Sequence, residues 1–565
     1  MKRTTVISSG EAAFDLISES TFLHRWLDLY GACSWGTVFQ TPDFVKIWYE
    51  TYREQFVPVI LTMANPQGEL RGLLTLAIRR STGQLVYAGD IHSEYQVWLA
   101  RDDAKDSFIF EALDLLGKTW PGQVLKLRYL PPATHLGLLA KSSWLRTKCY
   151  LAPSSRPLIG LDEEQRINRA LKSKQVKLNR LKRLGAVSFR KVERDEFPEV
   201  FEHAWPLYEF RQIGRYNSSP FLSDADLKRF YLAVAKYSDV LHMTVLRVDE
   251  TIVAWFLGIQ SSGYLHLIST GYSPFLARHS PAMLHMLMLA KQLIRDERRV
   301  FDLTPGGDKY KDQLATSYER THTLYFFPRL RTAIEYQQTR DLAKKAVKKL
   351  VRIAAQQPAR SLAAMFGKSR DAPVPENSNR LEPEISFRIC KLNAVDGGKM
   401  DERLDAVGKN KLVDLIRYES TTQAKSRRDF MNEAQRFIDQ GADVYTVVRD
   451  GRLIASCWIV SGERASSSDV SISQVPAGTP LLVGFYAHPS ENGAKMLSIC
   501  MEKWLNEATS VGRAAQLNIG IPENDLFLNT HVAGESTSQT ASHTATARAT
   551  PKMGNIWFRP GSPDL

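Results

Sequence analysis

Between residues 278 and 311 the chain concentrates the residue types from which a reactive site can be built. Arg278 and His279 precede Ser280-Pro281, and that pair opens an apolar run at helical spacing, PAMLHMLMLAKQLIRDE (281–297). A serine at the cap and a proline at the first helical position mark a helix N-terminus. Its unpaired N–H groups and its dipole, with cationic residues in front, suit a phosphate-bearing ligand. A β-rich run, RVFDLT (299–304), follows and carries Asp302 at its C-terminal end; Gly307-Asp308 and Tyr310-Lys311 come next. Two carboxylates, a phenol and an amine so close together are groups that accept, donate and steer protons.

Other chemistries find little support. The sequence has no metal-ligand cluster, Ser-His-Asp signature, Walker loop or dinucleotide fingerprint, which ranks hydrolase, ATPase and dehydrogenase readings low. Five cysteines, odd in number and never spaced as a C-x-x-C pair, read as core residues or free thiols of a reducing compartment. Without a signal-length apolar run or a membrane span, a cytoplasmic protein is expected, peripheral to the inner face of the membrane if bound to it at all.

The reactive stretch sits inside a recurring order of elements. Two helices are predicted over 196–211 and 223–237, the second capped by Ser223. Strands over 241–248, 251–260 and 264–270 follow, and then the helix from Pro281 and the strand 299–304. A strand-helix-strand crossover of this kind implies a parallel pair. The same α-α-β-β-β-α-β order recurs in the last third: helices in 401–417 and 424–440, a hairpin around Asp450-Gly451, strand 481–487, helix 493–507 and strand 514–520. The first third is similar, with helices near 21–31 and 42–54, a hairpin, strand 95–99, helix 104–118 and strand 124–130. The fold class is therefore mixed α/β, built from repeated units, each a mostly antiparallel mixed sheet flanked by helices. The expected organisation is an N-terminal unit over 1–157, a catalytic unit over 158–330, a basic helix and linker over 331–380, a third unit over 381–530, and a low-complexity segment and tail over 531–565.

That element order is the order of GNAT acyltransferases, and the residues over 271–311 resemble one bacterial branch of them. Ser280-Pro281, Phe301-Asp302, Gly307-Asp308 and Tyr310-Lys311 are similar to the hallmarks of CelD-type acetyltransferases of cellulose and exopolysaccharide biosynthesis, relatives of the FemAB aminoacyltransferases. GTVFQTPDFVKIW and HSEYQVWL extend the resemblance over roughly 20–330. Ala282 departs from it, standing where the family has glycine.

The resemblance implies transfer of an acyl group, acetyl first, from acyl-CoA to an amine or hydroxyl acceptor. It places the cofactor pyrophosphate at Arg278, His279, Ser280 and Ala282 of the helix N-terminus, and uses backbone N–H groups of strand 264–270 to polarise the carbonyl. Asp302 is the candidate base, Asp308 the second, Tyr310 the candidate proton donor to the leaving thiolate, and Lys311 a cation for phosphate or substrate. The first and third units read as degenerate copies, the first covering the acceptor groove.

Formal net charge is +13, which suits an anionic partner without choosing among cofactor, tRNA and acidic membrane. The segment 165–184 has eight Lys and Arg and an apolar stripe of Ile167, Leu171, Leu178 and Leu181. It reads as a face for tRNA or an anionic membrane, or as a solvated helix. Two readings therefore compete with the acyl-CoA enzyme: an aminoacyl-tRNA-dependent transferase, and a non-catalytic scaffold of a polysaccharide synthase.

Overall fold

The computed structural model describes residues 5–138, 142–261, 263–329, 385–393, 402–420, 425–461, 478–489, 493–510, 516–522 and 544–547. The basic helix expected over 331–353 and the linker over 354–380 lie outside these residues. Two compact units emerge: Met1–Phe201 with Phe221–Thr270 and His279–Pro373, and Glu202–Pro220 with Gly271–Arg278 and Val374–Leu565.

The first unit holds two sheets. One is antiparallel, ordered β1 (Thr5–Ser9), β2 (Phe56–Ala64), β3 (Leu70–Arg79) and β4 (Leu85–Tyr87), with β5 (Leu99–Ala100) also on β3. Helices α1 (Glu11–Ser18), α2 (Ser20–Ala32), α3 (Pro42–Thr51) and α4 (Lys105–Thr119) go with it. Helix α3 starts as its sequence dictates, with Thr41 at the cap accepting from Phe44 N–H and Pro42 at the first position. The strand expected to close this sheet, β6 (Leu125–Leu130), pairs with the second sheet instead. Its link back to the first is the Gln96 N–H to Arg128 C=O bond at 2.9 Å and the Gln96 side chain, whose Oε1 accepts from Arg128 N–H. Tyr129, the fifth of the six residues of β6, has φ 49°, in the left-handed region.

The second sheet runs β6, β13 (Ser317–Phe326), β7 (Cys149–Gly160), β12 (Val300–Asp302), β11 (Tyr264–Tyr272), β10 (Thr251–Ser261), β9 (Leu241–Val248) and β8 (Val187–Lys191). The expected parallel pair forms between β11 and β12, across helix α9 (Pro281–Arg295), and the short helix α10 (Lys309–Leu314) leads into β13. Between β7 and β8 lie α5 (Glu164–Ser173) and α6 (Gln175–Lys182), a break at Lys174 splitting the basic helix expected there as one. Helices α7 (Phe197–Tyr216) and α8 (Ala225–Tyr237) precede β9. The cap of α8 is Asp224, which accepts from Asp226 N–H, and not Ser223, which ends a four-residue helix of its own. Beneath α9, Leu265, Leu267, Phe301 and Leu303 pack with Met286, Leu289 and Leu293 in one apolar cluster. At roughly 1.5–3 kcal/mol per fully buried side chain, this cluster fixes α9 on the sheet.

The second unit carries β15 (Val407–Lys409), β16 (Asp443–Arg449), β17 (Arg452–Ser461), β18 (Gly478–Ala487), β19 (Gln516–Pro522), β14 (Ile385–Asn393) and β20 (Thr544–Ala547) in that sheet order. The Asp450-Gly451 turn has φ of 50° and 74°, as a tight hairpin requires. Helix α11 (Arg427–Asp439) precedes β16, and α12 (Gly493–Ser510) joins β18 to its parallel partner β19. The single helix expected over 401–417 is two short helices flanking β15. Four residues of the low-complexity segment, Thr544–Ala547, add a strand to β14. Among the described residues no helix is long and apolar enough to cross a membrane.

Two histidines of the first unit are buried, His242 on β9 and His285 on α9 itself. Burial, then the Lys191 charge, pushes His242 down to about 4, and burial, then His242, pushes His285 down to about 3. Both are depressed, so between the ordinary histidine range and these values the unfolded chain binds more protons than the folded one. Stability is full above about pH 6.5 and falls as pH drops toward 4, by roughly 2–3 kcal/mol from His242 alone. Urea unfolding at pH 7 and near pH 4.5 should show this loss, and His242→Leu should flatten it relative to the parent chain.

Candidate active site

Asp302 is fully buried at the last position of β12, level with His266 on β11 and Leu158 on β7. A carboxylate there must be met by donors or stay protonated. Four donors meet it. Tyr95 Oη donates to Oδ2 at 2.6 Å, His266 Nδ1 lies 2.9 Å from the same oxygen, and Arg156 Nη1 is 3.5 Å away. The Thr304 N–H donates to Oδ1 at 2.8 Å. Burial would push this carboxyl up, but the His266 hydrogen bond and charge, then Arg156 and Tyr95, outweigh it and hold Asp302 below its ordinary range.

The partners are constrained in turn. Burial, and then the Asp302 charge, raises the Tyr95 phenol well above its usual value, which keeps it a proton donor. Arg156 sits 5% exposed on β7, bonded also to Glu319 of β13. Burial disfavours its charge, yet Asp302, Tyr95 and Glu319 raise its pKa above the normal guanidinium value. His266 stacks on Tyr264 with centroids 5.9 Å apart and planes 8° off parallel, with Phe39 and Tyr95 on other sides. An ionised Asp302 only accepts, so Nδ1 of His266 carries a proton toward it, and Nε2 is the ring nitrogen not committed to Asp302.

Past the His266–Asp302 pair the two parallel strands part. β11 continues six residues to Tyr272, while the chain after β12 turns away, Leu303 N–H bonding Pro157 C=O. Thr304 has φ 59° and Gly306 φ 152°, and a side chain at Gly306 would reach within 3.1 Å of Lys311 Nζ. Lys311 is buried and its ammonium binds the Thr304 and Pro305 carbonyls at 3.1 and 3.3 Å. Ser269 on β11 shares, by strand alternation, the α9 side with Leu265 and Leu267, and its buried Oγ lacks a hydrogen-bond partner among the described residues.

The residues singled out in the sequence separate into groups. Asp302 and Lys311 come together through Thr304. Tyr310 instead packs its ring on the apolar cluster beneath α9, and Asp308 occupies the cap position of the short helix Lys309–Leu314 without a capping bond. Arg278 and His279 end a 3-10 turn, His279 being buried. Ser280 stands at the cap of α9 in the left-handed region, φ 54°, and its side chain does not cap; Ala282 lies half-buried in the first turn. The expected helix terminus is present, but the serine hydroxyl makes no capping bond to it.

Sequence reasoning missed His266, Tyr95, Arg156 and Glu94. The HSEYQVWL segment carries two of these, so the site draws residues from outside 158–330. Their loop is pinned: Arg128 donates to the carbonyls of Asp90, Ile91 and Ser93, and Gln96 donates to Asp90 C=O at 2.6 Å. Half-buried Glu94 takes no hydrogen bond among the described residues. Desolvation raises its carboxyl, with Asp302 adding, against the pull of Arg128 and Lys311.

Residues 169–312 match the family model of an acetyltransferase (GNAT) domain. The matched stretch holds His266, Asp302 and Lys311 and leaves out Glu94, Tyr95 and Arg156. Among solved structures, the chain is similar to FemX, with 8% identity, 56% of this chain and 98% of that one covered, and a TM-score of 0.40. It is similar to L-PGS from Bacillus licheniformis, with 12% identity, coverage of 55% and 91%, and a TM-score of 0.36. A tandem GNAT protein from the clavulanic acid biosynthesis pathway gives 12%, 57% and 98%, and 0.36. No curated protein matches the chain. Structural scores this low leave the functional reading to the site itself.

The buried ion pair gives a direct test of the network. Arg156→Met leaves Asp302 short of compensation and should cost about 3–5 kcal/mol in denaturant unfolding. Glu319 is 41% exposed on its side chain, and Glu319→Gln should cost under about 1 kcal/mol.

Proposed function

We propose that this chain transfers an acyl group, acetyl first, from an acyl-CoA thioester to an amine or hydroxyl acceptor. The observation that carries the reading is the parallel pair β11–β12, which parts at a buried carboxylate–imidazole pair while α9 rises from the same crossover. Residues 169–312, matched to an acetyltransferase domain, contain all three parts.

The residues present fit such a donor. The first-turn N–H groups of α9, uncapped by Ser280, suit its pyrophosphate, and the orphaned Ser269 hydroxyl on the α9 side of β11 suits its amide arm. When bound, the thioester supplies the activated acyl carbon. On the opposite face of β11, His266 Nε2 takes the proton from the acceptor nitrogen or oxygen as the new bond to the acyl carbon forms and the carbon–sulfur bond breaks. Asp302 is a positioning residue here, not the base: its carboxylate is tied to four donors and is a weak proton acceptor. It holds the tautomer of His266 and stabilises the imidazolium that forms. Glu94, half-buried beside the network and without a hydrogen bond among the described residues, is the candidate to bind the acceptor. Tyr310 remains the candidate to return a proton to the thiolate. An acceptor from envelope or exopolysaccharide assembly rests on the CelD-type resemblance over 271–311.

Calorimetry with acetyl-CoA should give micromolar binding to the full chain, and Ser280→Asp should remove it by placing a carboxylate at the pyrophosphate end. In an acetyl-transfer assay over a panel of amines and sugars, His266→Ala and Asp302→Asn should each lower kcat by roughly 100-fold or more at unchanged acetyl-CoA affinity. Glu94→Gln should instead raise the acceptor KM. Absence of acyl-CoA binding by the parent chain would sink the reading.

A further inference from the structure

From Gln165 to Gly185 the chain has no acidic residue, and six Lys and Arg fall between Lys172 and Arg183. Helices α5 and α6, into which this segment folds, are anchored from one side only. Ile167 and Leu181 are buried, and Leu171 packs on the cluster beneath α9. The opposite face is not a plain charged surface. On α6 and its C-terminal cap, Val176, Arg180, Arg183 and Leu184 follow at positions i, i+4, i+7 and i+8, which a helix aligns in one stripe. Val176 is 63% exposed and Leu184 48%, among the exposed large apolar side chains of the molecule. Lys172, Arg180, Lys182 and Arg183 are exposed and make no ion pair among the described residues. The acid that touches the end of the segment, Asp249, is occupied in accepting the Ala186 N–H at 2.8 Å.

We infer that the outer face of α5–α6 docks on an anionic phospholipid surface, with the cations at the headgroup phosphates and Val176 and Leu184 inserted between them. Cations alone would serve a nucleic acid equally well. The aliphatic side chains in the same stripe decide for lipid, because a phosphate backbone offers them nothing to bury against whereas the headgroup boundary does. The docking face is independent of the acyl-transfer reading, and none of its residues belongs to the site around Asp302.

The test is co-sedimentation of the full chain with vesicles of phosphatidylglycerol and phosphatidylcholine against vesicles of phosphatidylcholine alone. Binding only to the anionic vesicles, released between about 50 and about 500 mM salt, is expected. Lys172→Glu/Arg180→Glu/Arg183→Glu should weaken it roughly tenfold or more, and Val176→Ser/Leu184→Ser should weaken it several-fold while leaving the charge untouched. Both variants change exposed residues, and unchanged thermal unfolding checks that they fold. No sedimentation, equal binding to neutral vesicles, or undiminished binding by the charge-reversed chain would overturn the inference. Serine substitutions that cost nothing would overturn the insertion of Val176 and Leu184, and retention on tRNA without vesicle binding would assign the face to RNA instead.

Discussion

A negative charge with no access to water organises the first unit. Stripping a carboxylate of solvent costs several kcal/mol, and only well-directed donors return it. The donors to Asp302 come from β11, from β7, from the turn after β12, and from the Ser93–Gln96 loop between β4 and β5 of the first sheet. One buried oxygen therefore ties together segments that apolar packing alone would leave free to slide. It also explains why β12 is only three residues long: the strand ends where its last side chain needs donors on every side, and the chain then leaves in a left-handed turn held by Lys311. The same constraint commits one nitrogen of His266 to Asp302, and the other is the one the proposed proton transfer would use.

How much of this was legible in the sequence follows from the range of each interaction. The meander, the crossover helix and the parallel pair rest on local periodicity and turn residues, and they lie within a residue or two of the expected positions over 241–304. Asp302 was legible because it ends an apolar strand and lies beside Gly307, Tyr310 and Lys311. Its partners were not: Tyr95 and Arg156 are 207 and 146 residues away in the chain, and His266 was one histidine among twelve. Strand β7 was hidden for a further reason. Its sequence CYLAPSSRPLIG has two prolines and two serines, the composition of a turn, and tertiary pairing with β13 overrides that tendency. Periodicity predicts which face of a strand is apolar, not which polar residue on it will meet a distant charge.

The second unit is an internal control for this view. It too has a parallel strand pair across a helix, β18 and β19 around α12. Yet β19 reads QLNIGIP and β18 GTPLLVGFYA, with no acid and no histidine in either. Behind them Cys457, Cys500, Met496, Leu497 and Trp504 fill an apolar core. The second unit has its own buried acids, Asp414 and Glu433, but at its parallel pair the architecture stands without a carboxylate–imidazole pair, so the charged cluster of the first unit is not a requirement of that pairing. A costly arrangement absent from a similar framework invites a chemical explanation more than a structural one.

The start of α9 supports the same argument from the backbone. A serine side chain at a helix cap ordinarily contributes about 1 kcal/mol by accepting a first-turn N–H. Ser280 forgoes that bond and also sits at φ 54°, a region costing a non-glycine residue a further 1–2 kcal/mol or so. Rotating Ser280 back into a capping conformation would remove both costs, and it would close the donors of the first turn against any outside acceptor. Together with the uncommitted Ser269 hydroxyl, this terminus gives up local stability on the side of β11 facing α9, while the opposite side is saturated with hydrogen bonds around Asp302. Open donors on one face of β11 and an imidazole held by a buried carboxylate on the other are the two features on which the acyl-transfer proposal rests.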